Sequence, residues 1–253
     1  MEPLGHRNQR VVDAARLHSA RERRDRGRTL IEGPNLLSEA VAHHVIPELV
    51  FALADDRQMS TLAEHHGFEL IRVDEPALAR VAGTKTPRGP VAVIEIPEAR
   101  STDAPGLLVA WGVSDPGNVG TMIRAAAGFG WGFGHTAGTA DPWSPKVLRA
   151  GAGGHFRIRI HSFDSVAELE HYGYAAAATV VAGGTSPAEL APGRYAVLIG
   201  EESSGLPPHV VEESALTVTI SMPGGIESLN AAMAAGIIVY ELSKPGREGE
   251  GRV

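Results

Sequence analysis

Polar and charged side chains collect at two junctions of this chain, each where a core segment ends and a small-residue helix begins. At the first, Asp115-Pro116-Gly117-Asn118 is a turn with strong helix-start signals, and Arg124 follows among Met122, Ile123, Ala125, Ala126 and Ala127. An arginine in such company either snorkels to solvent or holds a partner. At the second, Gly200 closes the apolar run Tyr195–Ile199 and Gly205 follows; Ile220-Ser221-Met222 then runs into Pro223-Gly224-Gly225. Glycine at a strand's carboxyl end lets a ligand approach bare backbone, and the cleft outside the carboxyl ends of parallel strands is where α/β sheets bind ligands. Ser228 reads as the N-cap of the last helix, with Asn230 in its first turn. Capping by Ser228 does not explain Asn230, a poor helix former where neighbouring positions use alanine.

Other chemistries lack their residues. His43-His44 and His65-His66 are adjacent pairs that point to different faces of a helix, no HExxH pattern occurs, and no metal site is expected. There is no Walker A motif, and the glycines of GWGFGHTAG lack the GxGxxG spacing of dinucleotide binding. Cysteine is absent, so disulfides and thiolate metal sites are excluded.

The elements that position the junctions alternate between strand and helix. Residues 8 to 30 read as an Arg-rich amphipathic helix, with a short strand at 29 to 32 and a helix behind Gly33-Pro34. Strands follow at 49 to 53, 68 to 73 and 89 to 96, with helices at 56 to 66 and 75 to 82. PEARSTDAPG, residues 97 to 106, has the composition of a linker. Beyond it, residues 107 to 113 are apolar on both faces, as in a buried parallel strand. Further strands are expected at 155 to 160, 176 to 182, 195 to 200 and 216 to 221, and helices starting near Asn118, Pro145, Ser165 and Ser228. The expected domains are 1–97, a linker 98–106, 107–243 and a disordered tail 244–253.

With 253 residues, 43% hydrophobic and 21% charged, the composition is that of an ordinary soluble globular protein, and the strand–helix alternation suggests an α/β fold; aromatics at 5% require an aliphatic, alanine-rich core. No apolar run reaches the ~20 residues of a membrane span, and the amino terminus lacks the apolar core of a secretory signal, so the expected place is the cytoplasm. Net charge is −7, but residues 1 to 30 hold eight arginines against four acids, while residues 201 to 253 hold eight glutamates against three basic residues. Polyanion contact, if made, starts at the amino end; a solvated helix face explains the same charges.

DPGNVGTMIRAAAGFG, GEESSGL and ISMPGGIESLNAAMAAGIIVYEL, in this order and spacing, closely resemble the three motifs of the SpoU (TrmH) family of RNA 2′-O-ribose methyltransferases. DPWSPKVLRAGAGGHFRIRI resembles the family's middle segment; LIEGPNLLSEAV and GTKTPRGPVAVIEIP resemble its small substrate-binding domain, similar to ribosomal protein L30e. The resemblance implies an L30e-like N-terminal α/β domain, then a parallel-sheet α/β methyltransferase domain with a C-terminal trefoil knot. It implies S-adenosylmethionine as methyl donor, a ribose 2′-hydroxyl in RNA as acceptor, ribosomal RNA ahead of transfer RNA, and a homodimer with a shared active site. By motif, Gly200, Leu198, Ile220, Met222 and Leu229 would wrap the donor, and Asn118, Arg124, Glu202, Ser228 and Asn230 would form the catalytic site. Arg124 would stabilise the forming alkoxide, since a guanidinium deprotonates with great difficulty. Arg7, Arg10, Arg23, Lys85 and Arg88 are the expected RNA phosphate contacts.

Two positions depart from the family's pattern: Glu201 stands where Asn is usual, and Gly151 where Ser is usual. The alternatives are a catalytically silent RNA-binding or ribosome-assembly protein of the same fold, and a generic nucleotide-binding α/β protein.

Overall fold

The computed structural model describes residues 2–87, 89–98 and 103–244. Arg88, residues 99–102 of the expected linker and residues 245–253 of the expected tail lie outside them. In chain order the first elements are α1 (Gln9–Ala15), α2 (Ala20–Arg26), β1 (Arg28–Glu32), α3 (Pro34–Ala42), β2 (Leu49–Leu53), α4 (Arg57–His66), β3 (Glu69–Val73), α5 (Glu75–Ala82) and β4 (Val91–Glu95). Then come β5 (Leu107–Ala110), α6 (Pro116–Gly128), β6 (Gly132–His135), α7 (Pro145–Gly151), β7 (Ile160–Ser162), α8 (Val166–His171), β8 (Ala175–Thr179), β9 (Tyr195–Ile199), α9 (Pro208–Glu213), β10 (Leu216–Val218) and α10 (Ala231–Leu242). Two compact units result, Met1–Glu98 with Trp143–Phe156, and Ala99–Pro142 with Arg157–Val253.

The first unit is built on a four-stranded sheet of order β1-β4-β2-β3, parallel only between β2 and β3. Side chains alternate faces along a strand, and both faces are covered. Leu30, Phe51, Val91 and Val93 pack with Val11, Leu17, Leu78 and Val81 of the α1 and α5 side, while Ile31, Val50, Ala92 and Ile94 pack with Leu37, Met59 and Leu148. Leu148 belongs to α7, which follows β6 in sequence yet is fixed to β1: Thr29 Oγ1 donates to the Trp143 carbonyl at 2.6 Å, and Arg149 meets Glu32 at 3.0 Å. The arginine-rich start is not one helix. A 3₁₀ turn at Arg16–His18 separates α1 from α2, so that Val11, Ala14 and Leu17 all face the core.

The second unit holds a six-stranded sheet, parallel throughout, of order β10-β8-β9-β5-β6-β7. β6 and β7 extend it to one side of β5, whereas β9, β8 and β10 extend it to the other. The chain leaving β5 and the chain leaving β9 therefore diverge, which opens a crevice at their carboxyl ends. Leu107, Val109, Ala176, Ala178, Ala196 and Leu198 face α8 and α9 in a core with Phe163, Leu169 and Val210. α6 and α10 cover β5 and β9 from the opposite face.

One further expectation is corrected here, and one strand was not expected. The strand expected at 155 to 160 is a 3₁₀ turn, Gly154–Phe156, followed by the strand β7 at Ile160–Ser162, because Phe156 is drawn into the first unit's core. The strand β6 was hidden by its own glycines. A Cβ on Gly134 would stand 2.8 Å from the Phe163 ring and 3.1 Å from Val109, so close packing and not turn formation requires glycine there.

Candidate donor cleft and polar site

A cavity of about 670 Å³ opens at the carboxyl ends of β8, β9 and β10, against α10. That volume suits a ligand of nucleoside size. Its walls are apolar at Ile199, Val218, Ile220, Leu229 and Ile238, and bare backbone at Gly200 and Gly205. The loop after β9 is tight. A Cβ on Gly200 would stand 2.3 Å from the Gly205 carbonyl carbon and 2.4 Å from the Leu206 nitrogen, so only glycine fits. Glu201, Glu202 and Glu227 also line the cavity, and none of them forms an ion pair among the described residues. Apolar walls with the carboxylate of Glu227, which makes no hydrogen bond among the described residues, suit a ligand that joins an apolar ring to a cationic group.

Beside the cavity lies a closed polar cluster. Asn118 Nδ2 donates to Glu202 Oε1 at 3.0 Å, and Asn230 Nδ2 donates to Asn118 Oδ1 at 2.9 Å. Asn230 Nδ2 also donates to Glu202 Oε1, which takes the Ala231 N–H at 3.2 Å as well. Asn230 Oδ1 in turn accepts from Ala232 N at 3.0 Å and Met233 N at 3.1 Å, so Asn230 is the N-cap of α10. This corrects the expected cap at Ser228, which lies before the helix and lines the cavity. It also explains why an alanine-rich helix opens on asparagine.

Asp115 caps α6, its Oδ1 accepting from Asn118 N at 2.8 Å with Pro116 in the first turn, which fixes the side chain of Asn118 toward the cluster. Asn118 is 8% exposed. α6 and α10 lie side by side in the same direction, since Asn118 meets Asn230 at their amino ends and the Phe129 and Tyr240 rings lie 6.0 Å apart at their carboxyl ends.

Arg124 stands apart from this cluster. It is exposed on α6, does not line the cavity and forms no hydrogen bond or ion pair among the described residues. Beside it the paired helices present a row of exposed apolar side chains: Met233, Ile237 and Tyr240 of α10, with Phe129 after α6.

The remaining expected donor contacts divide. Gly200, Ile220, Met222 and Leu229 line the cavity, whereas Leu198 is fully buried in the sheet core and does not line it, its carbonyl accepting from Thr179 Oγ1 at 2.8 Å. Thr179 and Glu227 line the cavity too and were not expected. Thr179 ends β8 beside β9, so the strand-end rule that singled out Gly200 applies to it equally; Glu227 carries no such sequence signal.

The expected RNA contacts also divide. Arg23 is 3% exposed and gives its guanidinium to the carbonyls of Leu17 at 2.8 Å and His18 at 3.0 Å, so it closes the α1–α2 corner and is not open to RNA. Arg10 pairs with Glu69, and this hydrogen bond raises the arginine's pKa and lowers the carboxylate's. Arg7 and Lys85 are exposed cations, and Lys85 lines a cavity of about 480 Å³ with His6, Arg80 and Thr84.

A family model described as the SpoU rRNA Methylase family matches residues 106–240, and one described as an MRM3-like substrate binding domain matches residues 8–92. The chain is 34% identical to the 23S rRNA (guanosine(2553)-2′-O)-methyltransferase RlmP of Bacillus subtilis, over 93% of this chain and 96% of that protein. Among solved structures, the SpoU methyltransferase AviRb of Streptomyces viridochromogenes, in complex with the cofactor AdoMet, is 25% identical with a TM-score of 0.83 and covers 94% of this chain and 97% of its own. An AdoMet-bound rRNA methyltransferase from Sinorhizobium meliloti shares the fold at a TM-score of 0.82 and 23% identity, with 95% of this chain and 97% of that one covered.

Proposed function

The chain belongs to the SpoU rRNA methylase family, and we propose that it transfers a methyl group from S-adenosylmethionine to a ribose 2′-hydroxyl of ribosomal RNA. The observation that carries this reading is the cluster of Asn118, Glu202 and Asn230 beside a glycine-walled cavity of about 670 Å³. Bound there, S-adenosylmethionine supplies an electrophilic methyl group. Gly200 and Gly205 would allow its close approach, the apolar walls would take its adenine, and the carboxylate of Glu227 would favour its cationic charge. Asn118 and Asn230 orient the acceptor ribose or the arginine that meets it. Arg124 stabilises the developing alkoxide, and positioning supplies much of the acceleration. The hydroxyl proton leaves to a substrate phosphate or to water.

A homodimer accounts for the distance between Arg124 and the cluster. The exposed row Met233, Ile237 and Tyr240 lies on the helix next to Arg124's, so a second copy docking there buries apolar surface and brings an arginine to a site that lacks one. The family's trefoil knot is proposed for residues 200 to 242, supported by the backbone-to-backbone approach at Gly200. Arg7 and Lys85 contact RNA phosphates, and the cytoplasm is the proposed place of action.

The test is transfer of labelled methyl from S-adenosylmethionine to ribosomal and to transfer RNA, followed by mapping of 2′-O-methyl groups in cells with and without the protein. One missing ribosomal methyl group is the expected result. A site lost from transfer RNA alone would move the substrate, and no transfer to any RNA would leave only an RNA-binding protein.

A further inference from the structure

Glu201 has no part in the chemistry assigned so far, yet its carboxylate is held at both oxygens. Oε1 accepts from Ser114 Oγ at 2.8 Å, and Oε2 accepts from Ser204 Oγ at 3.3 Å. Its carbonyl takes the Gly205 N–H at 2.8 Å, so residue 201 also closes the tight turn after β9. The adjacent Glu202 reaches the first turn of α6 through Asn118 at 3.0 Å. Two neighbouring carboxylates thus tie the loop after β9 to the start of α6, one on each side of its cap Asp115.

We propose that Glu201 is a positioning residue, forming with Ser114 a latch that fixes the acceptor side of the site, α6 with Asn118, against the donor side at Gly200–Gly205. This rests on the donor-cleft reading above. A hydroxyl that donates to a carboxylate makes a charge-assisted bond, stronger than a neutral one. Asn118, in the first turn of α6, and Gly200, after β9, follow strands whose connections diverge, so their separation is set by ties of this kind. A displacement of an ångström at such a site costs up to about 100-fold in rate.

The test uses Ser114→Ala, Glu201→Ala, the double variant and Glu201→Gln in the full chain. Donor affinity is read by calorimetry without RNA, and transfer to ribosomal RNA in single turnovers at saturating donor. Ser114→Ala, which lies outside the cavity lining, is expected to lose roughly tenfold in single-turnover rate with donor affinity within about twofold of wild type, and Glu201→Ala to lose at least as much rate at saturating donor. The double variant is expected to be no slower than the slower single, because each single already breaks the Ser114–Glu201 bond. Glu201→Gln should recover most of the lost rate, its amide oxygen still accepting from Ser114. A partly unfolded variant betrays itself by losing donor affinity, and Glu201→Gln remains as the readout. Multiplying losses in the double variant, undiminished rates in the singles, or a glutamine variant as slow as alanine each overturn the latch. A wild-type protein that binds no donor and transfers no methyl group overturns the donor-cleft reading itself, and the latch with it.

Discussion

Asn230 gives its side-chain amide to the Oδ1 of Asn118 at 2.9 Å across 112 residues of chain, joining the amino ends of α10 and α6. Each asparagine also donates to Glu202, so three side chains from three separate segments satisfy one another. One substitution in such a set leaves the other two with unmet groups.

Asn230→Ala removes the α10 cap and one corner of the cluster together. Loss of a cap costs about 1–2 kcal/mol, so the urea midpoint should fall, and methyl transfer should fall at least tenfold. Asn230→Asp keeps a capping oxygen but sets a carboxylate against Glu202; it should hold more of the stability than alanine while losing as much activity. A fully active Asn230→Asp would remove the cluster from the reaction.

Arg124→Ala should separate fold from chemistry. The side chain is exposed and makes no bond among the described residues, so stability should stay within about 0.5 kcal/mol and donor affinity should not change. Turnover is expected to drop by roughly 100-fold or more. Mixing Arg124→Ala with Asn230→Ala copies should restore activity if each site takes its arginine from a second copy, and sedimentation of the wild type should give a dimer. Full methylation by Arg124→Ala would end its assignment.

Gly200→Ala places a methyl group within 2.4 Å of backbone atoms of Gly205 and Leu206, which have no rotamer to yield. Overpacking of this kind costs about 1–3 kcal/mol. Because the strained segment is the cavity wall, S-adenosylmethionine affinity measured by calorimetry should fall further than thermal stability does.

Acid should weaken the second unit. His161 is 8% exposed with Nε2 unpartnered, and burial, aided by nearby Arg159, lowers its pKa; burial also lowers that of His135, against the pull of Asp141. A histidine whose pKa is lowered on folding binds its proton more readily when unfolded. Its share of stability is therefore intact above the ordinary value of about 6.5 and declines as pH falls below it. The urea midpoint should be lower near pH 5.5 than near pH 7.5, and His161→Phe should flatten that decline. An unchanged acid limb would exclude His161 as its cause.

RNA affinity should fall steeply with salt, and Arg7→Ala and Lys85→Ala should each reduce the slope of log K against log salt by about one. Arg23→Ala should act differently, lowering stability because its guanidinium holds the carbonyls of Leu17 and His18 inside the fold.

Much of the architecture was legible from local pattern. β2, α4 and α5 fall where alternation and capping put them, and the apolar run from Leu107 forms the central parallel strand. The misreadings have local causes too. β6 is masked by glycines, and the reason for Gly134 is Phe163, which follows it by many residues. The strand expected at 155 to 160 fails because Phe156 serves a different core from Ile160. Ser228 looked like a cap because Ser and Asn compete for that role on nearly equal terms, and only the position of Glu202 favours Asn230.

By itself the sequence determined which segments are buried, where the chain turns, and that Gly200, Asn118, Asn230 and Arg124 stand at the ends or on the faces of those segments. These properties depend on residues a few positions apart, so periodicity and turn chemistry carry them. Tertiary structure alone decided that Asn118, Glu202 and Asn230 meet, that Arg124 does not join them within one chain, and that Glu201 binds Ser114. The order in which the parallel strands pack brings the carboxyl end of β9 beside that of β5, and no local pattern encodes which strands become neighbours.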